Sequence, residues 1–251
     1  TATPVELSGN WEYLNTVSWN SAGLIAQTQT RDQKQIDIHS IDPATGKATI
    51  VFTDTDGAWV ELVPGVPALQ HDGTLVTCAD RDGSLRLLVN GAAVTPTTMQ
   101  VRSVVSTDDG IVFIANDIST PWATDAWAYS DGSLQQITQS HGVVSVTGSL
   151  NCFVSRISTL ESERAQFTVH TRNTTHGIAS LAETSLVQPN VRILSVGPRG
   201  IPVAILLPRD GLSTKLPVLF DPYGGPHAQR VVASRAAYNS SQWFADQGFV
   251  V

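Results

Sequence analysis

Tyr223 is the residue whose type and setting could do chemistry most directly. It lies in Leu216–Gln229, LPVLFDPYGGPHAQ, where an apolar run gives way to Pro222-Tyr223-Gly224-Gly225-Pro226. Two prolines and two glycines in five residues dictate a tight loop, because proline removes a backbone donor and glycine admits conformations closed to other residues. A tyrosine in that loop is a hydroxyl donor at the carboxyl end of a buried strand, the edge at which open α/β sheets bind ligands. The loop can therefore aim a donor into a cleft; a boundary aromatic with its hydroxyl in water is the alternative.

Other reactive residue types form no such arrangement. No Gly-x-Ser-x-Gly elbow occurs in 1–251, so the turn that presents a nucleophilic serine is not encoded here. Cys78 and Cys152 lie 74 residues apart, match neither metal nor redox spacing, and read as buried free thiols. His39, His71, His141, His170 and His176 are scattered one per strand or loop without a carboxylate at ligand spacing, so neither metal nor cofactor is expected. His227 reads as a brace for the tyrosine loop, and Asp221 as a turn-former that could also orient it. Asn173-Thr174-Thr175 and Asn239-Ser240-Ser241 fit the glycosylation acceptor pattern and read as chance matches.

The bulk properties narrow what these residues could serve. Of 251 residues, 41% are hydrophobic and 15% charged, enough to bury a core, and the net charge is −7. That balance argues against a nucleic-acid partner, which needs a basic face to neutralise phosphates. No apolar run is long enough to span a bilayer, so no membrane partner is expected. No basic segment followed by an apolar run opens the chain, which points to a cytoplasmic protein; Thr1 in place of Met suggests residues upstream.

Residues 11–188 read as strands throughout, with four strands in each of four segments. The first holds Tyr13–Trp19, Gly23–Thr30, Gln35–Asp42 and Lys47–Thr53. Val63–Leu69, Thr74–Ala79, Leu85–Val89 and Ala92–Thr95 make the second. Met99–Ser106, Ile111–Asn116, Ala126–Tyr129 and Leu134–Thr138 follow, then Val143–Thr147, Cys152–Ile157, Gln166–Thr171 and Ile178–Leu181. The segments end at Thr53, Thr95, Thr138 and Leu181, spaced by 42, 43 and 43 residues. Four short strands at that period are the signature of a β-propeller blade, whose two apolar faces are satisfied only by stacking on neighbours. Turn clusters such as Asp80-Arg81-Asp82-Gly83 and Ser130-Asp131-Gly132 support the division. A β-sandwich has the same composition but no reason to repeat.

The pattern changes after Pro189. Val203–Leu207 and Pro217–Asp221 are nearly continuous apolar runs, as expected of strands buried on both faces. Tyr238–Gln247 reads as a helix with Trp243 and Phe244 on its apolar face and Gly248 where it stops. Phe249–Val251 begins a further strand. The fold class is therefore mainly β, with blades over 1–190 and the truncated start of an α/β domain over 191–251.

LPVLFDPYGGPHAQ, together with Trp243-Phe244-Ala245 and Gly248-Phe249-Val250-Val251, resembles the start of the catalytic domain of the prolyl oligopeptidase family of serine peptidases, in its dipeptidyl peptidase IV and acylaminoacyl peptidase branch. Ala58-Trp59-Val60-Glu61, after Thr53–Asp56, resembles a blade of that branch's propeller. The resemblance is specific over 201–251 and mainly one of layout over 11–188. It implies the second half of a seven- or eight-bladed propeller followed by the opening of an α/β-hydrolase domain. It also implies serine acyl transfer on short peptides, a propeller that screens substrates by size, and Tyr223 as the residue completing the oxyanion hole. The Ser-Asp-His triad would lie beyond Val251, leaving this chain alone inactive. No Glu-Glu helix matches the pair that holds the substrate amine in dipeptidyl peptidase IV, so release of dipeptides, single residues or acylated residues stays open, as does a homo-oligomer. A non-catalytic propeller binding module and a hydrolase acting on esters are the competing readings.

Overall fold

The computed structural model describes residues 3–209, 215–225 and 228–251. Sixteen strands build four four-stranded sheets. The first contains β1 (Tyr13–Asn20), β2 (Gly23–Gln29), β3 (Gln35–Ile41) and β4 (Ala48–Thr55). β5 (Ala68–Leu69), β6 (Leu75–Arg81), β7 (Ser84–Val89) and β8 (Ala92–Ala93) form the second. β9 (Met99–Ser106), β10 (Ile111–Asp117), β11 (Asp125–Ser130) and β12 (Ser133–Gln136) form the third, and β13 (Val143–Ser149), β14 (Cys152–Ser158), β15 (Gln166–Thr171) and β16 (Thr175–Ile178) the fourth. In every sheet, neighbours in sequence are neighbours in space. This meander is the one expected of propeller blades.

Local sequence explains the tightest connections. Asp82-Gly83, Asn90-Gly91 and Asp131-Gly132 each place both residues at positive φ, between 48° and 82°. That is the two-residue turn whose twist matches antiparallel strands, and Asp-Gly and Asn-Gly are the pairs that tolerate it.

The chain divides into two compact units, Thr1–Ala115 with Trp127–Gln135, and Asn116–Ala126 with Gln136–Val251. In the first unit, sheets pack face to face. Val76, Cys78, Leu85 and Leu87 of the second sheet bury against Val101, Val104, Ile111 and Phe113 of the third. Ile25 and Ile38 of the first sheet bury against Leu75 and Leu69 of the second, with Phe52 alongside. Arg81 on β6 reaches back to the buried carboxylate of Asp54 on β4 at 2.7 Å, a polar tie beside that packing. At Gly65 (φ 87°) a Cβ would stand 1.9 Å from the Val104 carbonyl oxygen, so only glycine lets this connection lie against β9.

The second unit contains the fourth sheet and a hairpin, β17 (Val191–Val196) and β18 (Ile201–Leu206), paired from Val191↔Leu206 to Val196↔Ile201. A 3₁₀ turn at Arg235–Tyr238 leads into α1 (Asn239–Asp246), and Gly248 follows it at φ 98°. This mixture of hairpin and helix is not a further four-stranded blade.

Three expectations need correction here. β18 is half-buried rather than covered on both faces, with Leu206 alone fully enclosed. Pairing of Pro217–Asp221 and Phe249–Val251 is limited to a Val218–Val250 bridge and a Val251–Leu206 pair, and Phe220 is 85% exposed. An apolar run becomes a buried strand only when something lies on both of its faces. The buried side of α1 is Ser241, Gln242 and Ala245, while Trp243 and Phe244 point outward.

Candidate functional site

The frame that carries Tyr223 is set by backbone pairing. Leu206 and Val251 exchange both of their N–H···O bonds, at 2.9 and 3.0 Å, an antiparallel contact. On the other side of the same segment, the Val250 N–H donates to Pro217 at 2.9 Å and the Leu219 N–H donates to Val250 at 2.8 Å, around a parallel bridge. The order across this frame is therefore β17, β18, 249–251, 217–219. Tyr223 follows the last of these at its carboxyl end, but on an exposed segment rather than the buried strand the sequence suggested.

Tyr223 is 45% exposed, and its hydroxyl bonds to no other described residue. Its ring folds over Gly225, where a Cβ would stand 2.8 Å from the hydroxyl oxygen and 2.9 Å from Cζ. A side chain at the second glycine would therefore push the Tyr223 hydroxyl aside. Asp221, two residues upstream, forms an ion pair with Arg230 on the far side of the loop. The sequence reads Asp221 as a turn-former or as a residue that orients the loop; its pairing across nine residues leaves no local signal. His227 lies outside the described residues.

The downstream leg of the loop is fastened at several points within its own unit. Gln229 Nε2 donates to the Pro121 and Val231 carbonyls at 2.8 and 3.0 Å. The Ala233 N–H donates to Trp122 at 2.7 Å and the Arg235 N–H to Thr159 at 3.0 Å. Tyr238 is buried, and its hydroxyl both donates to the Val232 carbonyl and accepts from the Val232 N–H, each at 2.9 Å. Burial pushes its phenol up from the ordinary value, so it stays a neutral structural donor.

Behind the loop, Gln242 carries the chief polar contacts of α1. Its side chain is wholly buried. Oε1 accepts from the Asn190 N–H at 2.9 Å, while Nε2 donates to the Leu207 carbonyl at 3.0 Å and to Asp246 at 2.9 Å. Asp246 also binds the Arg209 guanidinium, at 2.6 Å to Nη2. Burial alone would raise the Asp246 carboxyl, but hydrogen bonds from Arg209 and Gln242 outweigh it and hold it below the usual carboxylate range.

Among the described residues, three hydroxyl–imidazole pairs have no signal in the sequence: an exposed one between Ser21 and His71, and two inside sheets. Thr28 Oγ1 lies 3.0 Å from His39 Nε2, and Ser155 Oγ lies 2.9 Å from His170 Nε2. Each joins the second and third strands of its sheet, with the imidazole two residues beyond the partner of the hydroxyl residue. Ser155 is fully buried and His170 stacks on Phe153 with centroids 4.4 Å apart, so this serine is packed rather than presented. Burial lowers both imidazoles from 6.5, with the Asp37 charge offsetting part of the effect at His39. The fold therefore favours the neutral rings while the unfolded chain takes up protons, so their contribution is whole above about pH 6.5 and is lost as pH falls through the lowered values. Urea midpoints should drop between pH 7.5 and 5.5, and replacing both histidines by Gln should flatten that slope.

A cleft of about 240 Å³ is lined in part by Asp54, Asp56, Trp59, Glu61 and Asp80. Three of its acids are committed internally: Asp54 to Arg81, Asp56 to the Ala58 and Trp59 N–H groups, and Glu61 to the Trp59 indole. Among the described residues, no group of three or more His, Cys, Asp and Glu side chains is placed to hold a metal ion. Cys78 is buried, its thiol pushed up to about 12 by desolvation, whereas Cys152 is exposed, contrary to expectation. No helix among the described residues is long and apolar enough to cross a membrane.

Four successive four-strand meanders, with face-to-face packing in the first unit, define β-propeller blades. Residues 1–161 match the family described as the dipeptidyl peptidase IV N-terminal region, and the chain belongs to that family. It is similar in fold to dipeptidyl peptidase 4 from Porphyromonas gingivalis, with a TM-score of 0.77 at 16% identity over 98% of this chain and 38% of the other. A putative dipeptidyl aminopeptidase IV from Bacteroides ovatus gives a TM-score of 0.72 at 17% identity, over 95% of this chain and 40% of the other. The chain thus spans about two-fifths of the length of either structure.

Proposed function

We propose that this chain is the blade-bearing and oxyanion-loop portion of a serine peptidase that hydrolyses short peptides, of the dipeptidyl or acylaminoacyl type. The observation that carries this reading is the place of Tyr223: it follows 217–219 in a frame ordered β17, β18, 249–251, 217–219, which suits the opening of an α/β-hydrolase sheet. Family membership of the blades supports the peptidase assignment. The domains are then 1–190 and 191–251. In the reaction, a serine outside this chain attacks the peptide carbonyl, and negative charge collects on the carbonyl oxygen. The Tyr223 hydroxyl donates to that oxyanion beside the N–H following the nucleophile. The blades restrict entry to short, unfolded substrates.

The test uses the longer polypeptide that carries this chain. Turnover is compared on X-Pro and X-Ala dipeptidyl amides, N-acylaminoacyl amides, simple esters and an intact folded protein. Cleavage of one of the two amide classes, blocked by a serine-directed phosphonate and absent on the folded protein, is expected. Ester turnover without amide turnover makes it an esterase. A reading frame that stops at Val251, or no phosphonate labelling, leaves a binding module.

A further inference from the structure

We propose that Asp221 and Arg230 are positioning residues for Tyr223, an inference that rests on the oxyanion role proposed for this tyrosine. Between them, the described residues 222–225 have little of their own to hold them. Among the described residues, Pro222–Gly225 take part in no backbone hydrogen bond, and Gly224 has open space around its Cα. Both ends of the loop, by contrast, are fixed. Leu219 is tied into the pairing with Val250, two residues before Asp221. Gln229, next to Arg230, is fastened to the Pro121 and Val231 carbonyls, and Ala233 to Trp122. The ion pair joins these two anchored posts and closes the loop between them.

Exposure decides what kind of work the pair does. Its two side chains are 47% and 49% exposed, and ion pairs so well hydrated add little to stability. What the pair can supply is geometry: it sets the separation of the loop's ends, and with it the direction in which the Tyr223 ring leans over Gly225. Oxyanion stabilisation depends on the donor's position to within fractions of an ångström, so a loop with unbridged ends would still bind substrate but aim its hydroxyl poorly.

Asp221→Ala, Arg230→Ala and the swap Asp221→Arg/Arg230→Asp are to be made in the longer polypeptide, beside Tyr223→Phe. Each single change should lower kcat about 10–100-fold with KM nearly unchanged, the pattern of a group acting only in the transition state, and leave the thermal midpoint in place. The swap should restore most of the loss. Single variants with wild-type kcat, or a swap that fails to recover, overturn the positioning role while the oxyanion assignment stands. A silent Tyr223→Phe overturns the assignment itself. Should a single variant fail to fold, the wild type answers the same question. Salt near 1 M screens an exposed pair, so kcat should fall with KM held, and a flat kcat overturns the role.

Discussion

Replacing Tyr223 by Phe in the longer polypeptide should lower kcat by about 10²–10³ while leaving KM within a small factor, the usual cost of one oxyanion donor. The change is conservative in the way the test needs. The ring packs over Gly225, and phenylalanine keeps that contact while removing only the hydroxyl. The hydroxyl holds up no other described residue and the side chain is nearly half exposed, so folding should be indifferent to its loss. A fall in kcat at constant thermal midpoint assigns the hydroxyl to the transition state. A kcat within twofold of wild type returns Tyr223 to the other reading of the sequence, an aromatic at a surface boundary. Gly225→Ala is the companion change. Its Cβ must displace the hydroxyl, so it should lower kcat in the same direction with the tyrosine still present.

Much of the blade layout was legible because it rests on local chemistry. β9 and β15 begin and end where the alternation of side chains does, and Asp-Gly and Asn-Gly fix the β6–β7, β7–β8 and β11–β12 hairpins without help from elsewhere. Misplaced strands mark where something less local took over. β5 shrinks from Val63–Leu69 to Ala68–Leu69: Pro64 and Pro67 have no N–H to give a ladder, and the Pro64 carbonyl is taken by Val104. β16 moves upstream, to Thr175–Ile178, because Thr171 closes on Thr174 through its N–H at 2.8 Å and through both hydroxyls. That threonine turn brings the chain back earlier than the apolar Ile178 and Leu181 suggested, and Leu181 is left almost wholly exposed. β17 was missed since VRILSV alternates only loosely and remains half-exposed. At the site, Tyr223 and its glycines could be read because their types are unusual in sequence. The Asp221–Arg230 pair, the Gln229 anchor and the hydroxyl–imidazole pairs join residues whose partnership only the folded chain reveals.

Gln242→Leu should destabilise the second unit by about 1–3 kcal/mol, read as a lowered urea midpoint and lost hydrogen-exchange protection over 190–251. Sequence favoured Trp243 and Phe244 as the residues that dock α1, on the rule that a helix buries its apolar stripe. Hydrogen bonding overrides that rule here. The chain enters β17 at Asn190 and leaves β18 at Leu207, and each point presents a backbone group with no strand partner of its own. A carboxamide has a donor and an acceptor in one plane, so a single glutamine satisfies both and still reaches Asp246. Leucine fills nearly the same volume and is far more apolar, so burial alone would make the variant more stable. The penalty of leaving the Asn190 N–H and the Leu207 carbonyl, both in partly buried bonds, without their partner, up to roughly 1–3 kcal/mol each, is larger. Trp243→Ser, on the outward face, should cost far less despite removing the bigger hydrophobe. If the ranking came out reversed, the apolar stripe would be what docks the helix, and the frame beneath the tyrosine loop would not depend on Gln242.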